Sequence, residues 1–427
     1  MAYRSPPAPV SRTMRPLAPI ETPPWLQPAL AAGWVATTLV ALCWTGPALA
    51  ATPSAPQARN LARTQADTVA VKSRQTTAPA PRTRKPKPKP QAAAAAMGPR
   101  YATRPDAMQA ADEMAQQRGM DAQWVRSAIG QARLVPAIVQ ASTPPAVGVA
   151  KNWALYRSRF VEPVRIAAGV RFWQAHREPL DRAEQTFGVP ADIVVGIIGV
   201  ETIFGKQTGN YRVIDALCTL AFDFPSAHPR AQARAAFFRS ELEEYLALTA
   251  RTRTDPLALR GSYAGAMGLP QFMPSSWVKY AIDFDGDARI DLFHSPADVI
   301  GSVAHYFQVF GWKPGMPTHY PVQFDEPRLD LPGLLAPDIL PTFSPAEFQA
   351  KGVLLAEDAR QHPGPLALVE LQNGDAPAQY LAGTQNFYAI TRYNWSSYYA
   401  MAVIELGQAI RAALPVAPLS GADSMPK

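Results

Sequence analysis

The chain has 427 residues, 48% of them hydrophobic and 18% charged, which is enough to bury a sizeable core and too apolar for a disordered polyelectrolyte. Its net charge of +7 is unevenly placed: 13 Lys plus Arg against two acidic residues fall within the first 100 positions, leaving 28 basic and 32 acidic residues beyond. The globular part is therefore slightly acidic, which argues against a nucleic-acid groove and assigns the basic character to a leader and spacer.

Residues 1–50 read as a secretory signal peptide or an N-terminal anchor. The apolar stretch from Pro28 to Trp44 follows Arg12 and Arg15, and Ala48-Leu49-Ala50-Ala51 supplies a small-residue cleavage pattern. Met14 is an alternative start, and an apolar run of about 17 residues is at the short limit for a retained span. Leu42, which is not small, argues against lipid attachment at Cys43. With cleavage after Ala50, Cys218 is the one cysteine left, and no intramolecular disulfide can form.

Residues 51–103 are rich in Ala, Pro, Thr, Lys and Arg, with Lys85-Pro86-Lys87-Pro88-Lys89-Pro90 at their centre. That composition predicts a disordered, partly polyproline-II spacer kept extended by its own charge. Membrane contact is expected only through the leader, if it is retained, and the location is the periplasm.

Residues 104–415 should form the folded region. Up to Phe310, apolar residues recur at three- and four-residue spacing, as in Phe172-Trp173, Leu180, Ala183 and Phe187, and predict an all-helical body. From about 319 to 386, short apolar pieces punctuated by Pro, Gly and Asp predict a small β domain. A final helix, about Ser396 to Ala413, packs back on the body, and 416–427 is left as a tail. The fold class is mainly α (α+β).

Glu201 ends an almost unbroken apolar run, Ile193 to Val200, with Phe204 one turn beyond. On a helix, Ile197, Ile198 and Phe204 flank its carboxyl, and desolvation there raises the pKa toward that of a general acid such as glycosidases use. A helix-end glutamate reaching solvent is the alternative.

The stretch Gly261 to Ser276 begins with too much glycine and proline for a helix, and Ser262, Tyr263 and Gln271 offer neutral hydrogen-bonding groups suited to sugar hydroxyls and acetamides. Pro274-Ser275-Ser276 then turns into a helix.

Directly after it, Asp283, Asp285, Asp287 and Asp291 occupy positions one, three, five and nine of an EF-hand-like loop (283–298), with the Arg289 carbonyl at position seven. Position six is Ala288 instead of Gly and position twelve is His294 instead of Glu, so Asp298 is the candidate to close a Ca²⁺ site. Ser295-Pro296-Ala297-Asp298 equally reads as a helix cap that needs no metal.

Asn386 to Tyr399 is dense in aromatics with polar tips, a mix that suits a carbohydrate cleft or core packing. Tyr306 is similarly ambiguous. No zinc motif, nucleophile elbow or phosphate-binding glycine loop is apparent.

Four motifs in order, Gly196 to Gly205, Ser262 to Ser276, the acidic loop, and Tyr393-Asn394-Trp395-Ser396, resemble the membrane-bound lytic murein transglycosylase B family, and the similarity spans roughly residues 104 to 410. The resemblance implies a lysozyme-like helical core with an additional helical domain and a small β domain. It also implies cleavage of peptidoglycan between N-acetylmuramic acid and N-acetylglucosamine, with 1,6-anhydro-muramyl ends as product. Glu201 falls on the catalytic acid, and Tyr156, Ser262, Gln271, Tyr306, Tyr393, Asn394 and Tyr399 fall on sugar-binding positions. Asp283, Asp285 and Asp287 fall on the calcium loop. No cofactor is expected for catalysis; a structural Ca²⁺ is. Glycan strands are the expected ligand of a monomer, with other cell-wall enzymes as further partners.

The chemistry agrees with the residues. A two-carboxylate hydrolase needs a second acid roughly 5–10 Å from the first, and among nearby acids Asp215 and Asp223 are the closest in sequence only. A single-carboxyl reaction would use the muramyl 6-hydroxyl as an intramolecular nucleophile, favoured over water by its effective concentration. A lysozyme-type muramidase, a non-catalytic glycan-binding module and a calcium-stabilised structural protein are the rival readings.

Overall fold

The apolar spacing of residues 104–310 is realised as helices packed on one another. The computed structural model describes residues 97–144 and 151–415. The expectations for 1–50, for 51–96 and for 416–427 fall outside them. Three helices come first, α1 (Pro105–Arg118), α2 (Ala122–Gln131) and α3 (Pro136–Ala141). The central body follows: α4 (Trp153–Arg157), α5 (Pro163–Ala175), α6 (Arg177–Phe187), α7 (Ala191–Thr202), α8 (Val213–Phe222), α9 (Ala231–Thr252), α10 (Pro274–Tyr280) and α11 (Pro296–Val309). A two-stranded antiparallel pair, β1 (Tyr211–Arg212) and β2 (Arg260–Gly261), ties the start of α8 to the glycine-rich stretch.

α7 is hydrophobic all round because it is surrounded: α16 (Ser397–Ala412), α5, α6 and α11 all pack on it, and ten of its twelve residues are buried. Glycine permits the closest of these contacts. A Cβ at Gly196 would lie 2.4 Å from the Val403 carbonyl oxygen, and one at Gly407 of α16 would lie 2.2 Å from that of Asp192.

Between α11 and α16 the chain builds a four-stranded antiparallel sheet in the order β4-β3-β6-β5, from β3 (His319–Phe324), β4 (Val353–Leu355), β5 (Ala367–Asn373) and β6 (Ala376–Gly383). The short helices α12 (Leu331–Leu335), α13 (Pro345–Ala350) and α14 (Glu357–Arg360) sit among its connections, and α15 (Gln385–Thr391) leads back to α16. Two-residue alternation on β5 splits the packing. Ala367, Val369 and Leu371 join the main core, while Leu368, with Leu366 just before the strand, joins a smaller one with Leu334, Phe348 and Val353. The result is a mainly helical fold with small sheets.

Candidate active site

Glu201 lies in the last turn of α7, partly buried. The backbone then bends abruptly. Ile203 (φ 50°) and Phe204 (φ 55°) are both left-handed before Gly205 (φ 86°), a strained arrangement for two residues with side chains. Thr202 holds that turn in place: its hydroxyl donates to the Leu269 carbonyl at 2.9 Å and accepts from the Gly205 amide at 3.1 Å. The end of α7 is thus fastened to the glycine-rich stretch.

Burial raises the Glu201 carboxyl to about 7, against two opposing influences, the hydroxyl of Tyr399 and the positive charge of Arg165. Tyr399, fully buried in α16, donates to Glu201 Oε1 at 2.5 Å. Among the described residues no second carboxyl group acts on Glu201. Asp215 accepts from Arg212 at 2.7 Å and from the Arg133 amide at 2.9 Å, and Asp223 is held by Tyr101 and Arg104 at 2.6 Å each. Both are structural.

The other expected site residues divide into those that present free polar groups and those that do not. Ser262 Oγ accepts from the amides of Ala266 at 3.0 Å and Ala264 at 3.3 Å, which leaves its proton to donate outward. Gln271, itself left-handed (φ 53°), gives its side-chain NH₂ to the carbonyls of Gly268 and Thr208 at 2.9 and 3.1 Å, so its carbonyl oxygen remains to accept. Tyr156 packs edge-on against Tyr398 at 5.7 Å between ring centres, and its hydroxyl makes no hydrogen bond among the described residues. The Asn394 side chain is likewise unengaged there, while its carbonyl caps Ser396.

Tyr393 and Tyr306 spend their hydroxyl protons within the protein. Tyr393 donates to the Pro270 carbonyl at 2.5 Å and stacks on Tyr399, 6.4 Å away and 14° from parallel. Tyr306, 6% exposed, donates to the Arg392 carbonyl at 2.6 Å and packs against Tyr393 at 4.9 Å. Its hydroxyl is satisfied by backbone, as a buried tyrosine's must be by some partner.

Two residues were missed from sequence. Thr202 gave no signal. Arg165 gave one: Arg165, Ala168, Gly169 and Phe172 share the buried face of α5, and an arginine at such a position needs an explanation.

Residues 103–408 match the family described as Transglycosylase SLT domain. Over 323 residues the chain is 39% identical to membrane-bound lytic murein transglycosylase B of Escherichia coli (strain K12), covering 74% of this chain and 85% of that protein. The chain belongs to the lytic murein transglycosylase B family. Among solved structures, soluble lytic transglycosylase SltB1 from Pseudomonas aeruginosa is 42% identical with a TM-score of 0.63, covering 72% of this chain and 99% of that one. The Escherichia coli lytic transglycosylase SLT35, in complex with calcium, is 38% identical with a TM-score of 0.65, covering 76% of this chain and 98% of that one.

In this transglycosylase the acidic loop brings one oxygen from each of Asp283, Asp285 and Asp287 within 4.8 Å of one another, all on exposed side chains. Among the described residues no Lys or Arg side chain pairs with them. Ala288 takes the left-handed conformation (φ 67°) that position six requires, so the absent glycine has not changed the turn. Hard oxygens with uncompensated charge fit a divalent cation. Asp298, the expected closing ligand, is 1% exposed, with Oδ1 accepting from the amides of Phe284 and Asp285 and Oδ2 from that of Asp291, much as the Asp283 carboxylate accepts from the amides of Gly286 and Ala288. His294, at position twelve, turns to Asp291 at 3.1 Å.

Proposed function

We propose that Glu201 carries both proton transfers of a non-hydrolytic glycan cleavage. The enzyme acts on peptidoglycan as a lytic transglycosylase. In the proposed reaction, protonated Glu201 gives its proton to the glycosidic oxygen between N-acetylmuramic acid and N-acetylglucosamine. The substrate's own acetamide stabilises the positive centre. The resulting carboxylate then takes the proton from the muramyl 6-hydroxyl, whose oxygen closes on C1 to give a 1,6-anhydro end. Glu201 ends protonated as it began, its first proton now on the departing sugar's hydroxyl and the 6-hydroxyl's proton on its carboxyl, and no water enters.

One observation carries this reading: a carboxyl raised to about 7 with no second carboxyl acting on it among the described residues. Half-protonation near neutrality suits a group that must first donate and then accept. Ser262, Gln271, Tyr156 and Asn394 supply the unengaged donors and acceptors that would orient the sugars. The family places the work outside the cytoplasm, and the N-terminal leader pattern supports export to the periplasm. A structural Ca²⁺ held by Asp283, Asp285, Asp287 and the Arg289 carbonyl would neutralise the loop's charge and stiffen it, with no part in the proton transfers.

The deciding experiment is mass spectrometry of muropeptides released from purified sacculi. Anhydro ends are one water lighter than hydrolysed ends. Release of reducing ends alone would replace this reading with a lysozyme-type muramidase.

A further inference from the structure

Arg165 has no part in the two proton transfers, yet it occupies the ground beneath them. It lies in the first turn of α5, on the face packed against α7, and is 8% exposed. Its guanidinium stands 5.0 Å from the Phe160 ring centre, and Nη1 donates to the carbonyl of Val200, the residue before Glu201, at 3.4 Å. Its ion-pair partner Glu162 stays at 3.9 Å, with that carboxylate taken up by the amides of Val164 and Arg165 at 2.7 Å each. Among the described residues Nε has no hydrogen-bond acceptor.

A buried guanidinium with an orphaned N–H lowers stability, and a methionine would fill the same space without that cost. What the arginine supplies instead is charge at a place that lacks it. The Val200 carbonyl belongs to the last turn of α7, where the helix dipole is negative and opposes ionisation of a carboxyl in the same turn. The titratable and charged groups facing Glu201 are Tyr399 from α16, Arg165 from α5, Tyr156 from α4 and Tyr393 from the turn before α16. Among the described residues α6 and α11, also packed on α7, bring it no charge.

We propose that Arg165 is a positioning residue for the catalytic carboxyl: anchored on the Val200 carbonyl, its buried positive charge supports the ionised form of Glu201, the form that accepts the 6-hydroxyl proton in the second half of the reaction. The inference rests on Glu201 being the acid and base. Without the cation, desolvation and the helix terminus would act unopposed except by Tyr399, and the group would give up its proton too reluctantly.

The test compares the full-length protein with Arg165→Met and Arg165→Lys, following kcat/KM on isolated glycan strands against pH and the Glu201 carboxyl by ¹³C NMR titration. In R165M the alkaline limb and the NMR midpoint should rise together by about one pH unit, as for any carboxyl that loses a neighbouring cation. In R165K both should return to the wild-type position. An unmoved limb and midpoint in folded R165M overturn the proposal. Should R165M not fold, Arg165→Gln, which keeps a donor for the Val200 carbonyl but no charge, gives the same two readings. Glu201→Gln run alongside separates the failures: an active E201Q removes the acid assignment itself, whereas an inert E201Q with an unshifted R165M removes only the role of Arg165.

Discussion

Tyr399 Oη donates to Glu201 Oε1 at 2.5 Å across the contact between α16 and α7, so the acid and the group that orients it lie 198 residues apart in the chain. The hydroxyl fixes one carboxyl oxygen and leaves the other to carry the proton. That geometry exists only because α16 approaches α7 to the distance that Gly196 and Gly407 allow.

Glu201→Gln preserves shape and hydrogen bonding but has no proton to give. We expect turnover of sacculi to fall by about 10³-fold or more, with the circular-dichroism spectrum and glycan-strand binding close to wild type. Retained turnover would sink the single-carboxyl mechanism.

The activity should decline on the alkaline side with a midpoint at about 7, because the ionised carboxyl cannot start the reaction. Stability carries the same signature. The folded state holds the Glu201 proton more tightly than the unfolded chain, whose carboxyl titrates near 4.5. Below 4.5 both states are protonated and the group contributes nothing. Between 4.5 and 7 the unfolded chain ionises first and stability falls, and above 7 the loss is constant. Chemical denaturation at several pH values should show this decline in wild type and a smaller one in E201Q.

Tyr399→Phe removes the donor and keeps the packing. The Glu201 midpoint should move up, since the hydroxyl holds it down, and stability should fall by about 1 kcal/mol for one lost hydrogen bond. A pH profile identical to wild type would show that the hydroxyl does not reach the working carboxyl.

Gly407→Ala places a methyl group against backbone that cannot yield, 2.2 Å from the Asp192 carbonyl oxygen. We expect a stability loss of about 2–4 kcal/mol by denaturant unfolding. The remaining folded enzyme should turn over more slowly because α16 and Tyr399 are pushed from Glu201.

Calcium at millimolar concentration should raise the melting temperature and magnesium should do so less, because three exposed carboxylates converging on one short loop suit the larger ion, which is less exacting about geometry. Asp285→Asn should abolish the difference. Ala288→Gly, which relieves a φ of 67°, should stabilise the metal-free protein by roughly 0.5–1 kcal/mol. Equal shifts with both ions would leave the loop as an acidic surface turn.

Much of this molecule is written locally. The three- and four-residue apolar spacing marked the helices of the body, short apolar pieces between turn residues marked the β region that contains β5, and Glu201 stood out as a charge at the end of the apolar run Ile193 to Val200. Local chemistry also showed the acidic loop, since Asp283, Asp285 and Asp287 need only their own backbone to converge. Such features depend on neighbours within one or two turns, which periodicity reports directly.

What spacing could not decide is which groups meet across elements. Tyr306 and Tyr399 are equally aromatic and equally placed on helices, yet one spends its hydroxyl on the Arg392 carbonyl and the other on Glu201. Asp298 lies beyond the loop's other acidic residues in sequence, and only the fold brings its carboxylate onto the amides of Phe284, Asp285 and Asp291. Arg165 is a surface-type residue until α5 is laid on α7 and its guanidinium has nowhere else to go. Partner choice of this kind is set by helix packing at long sequence separation, and a hydrogen bond or a buried charge acquires its meaning only when that packing removes the water that would otherwise satisfy it.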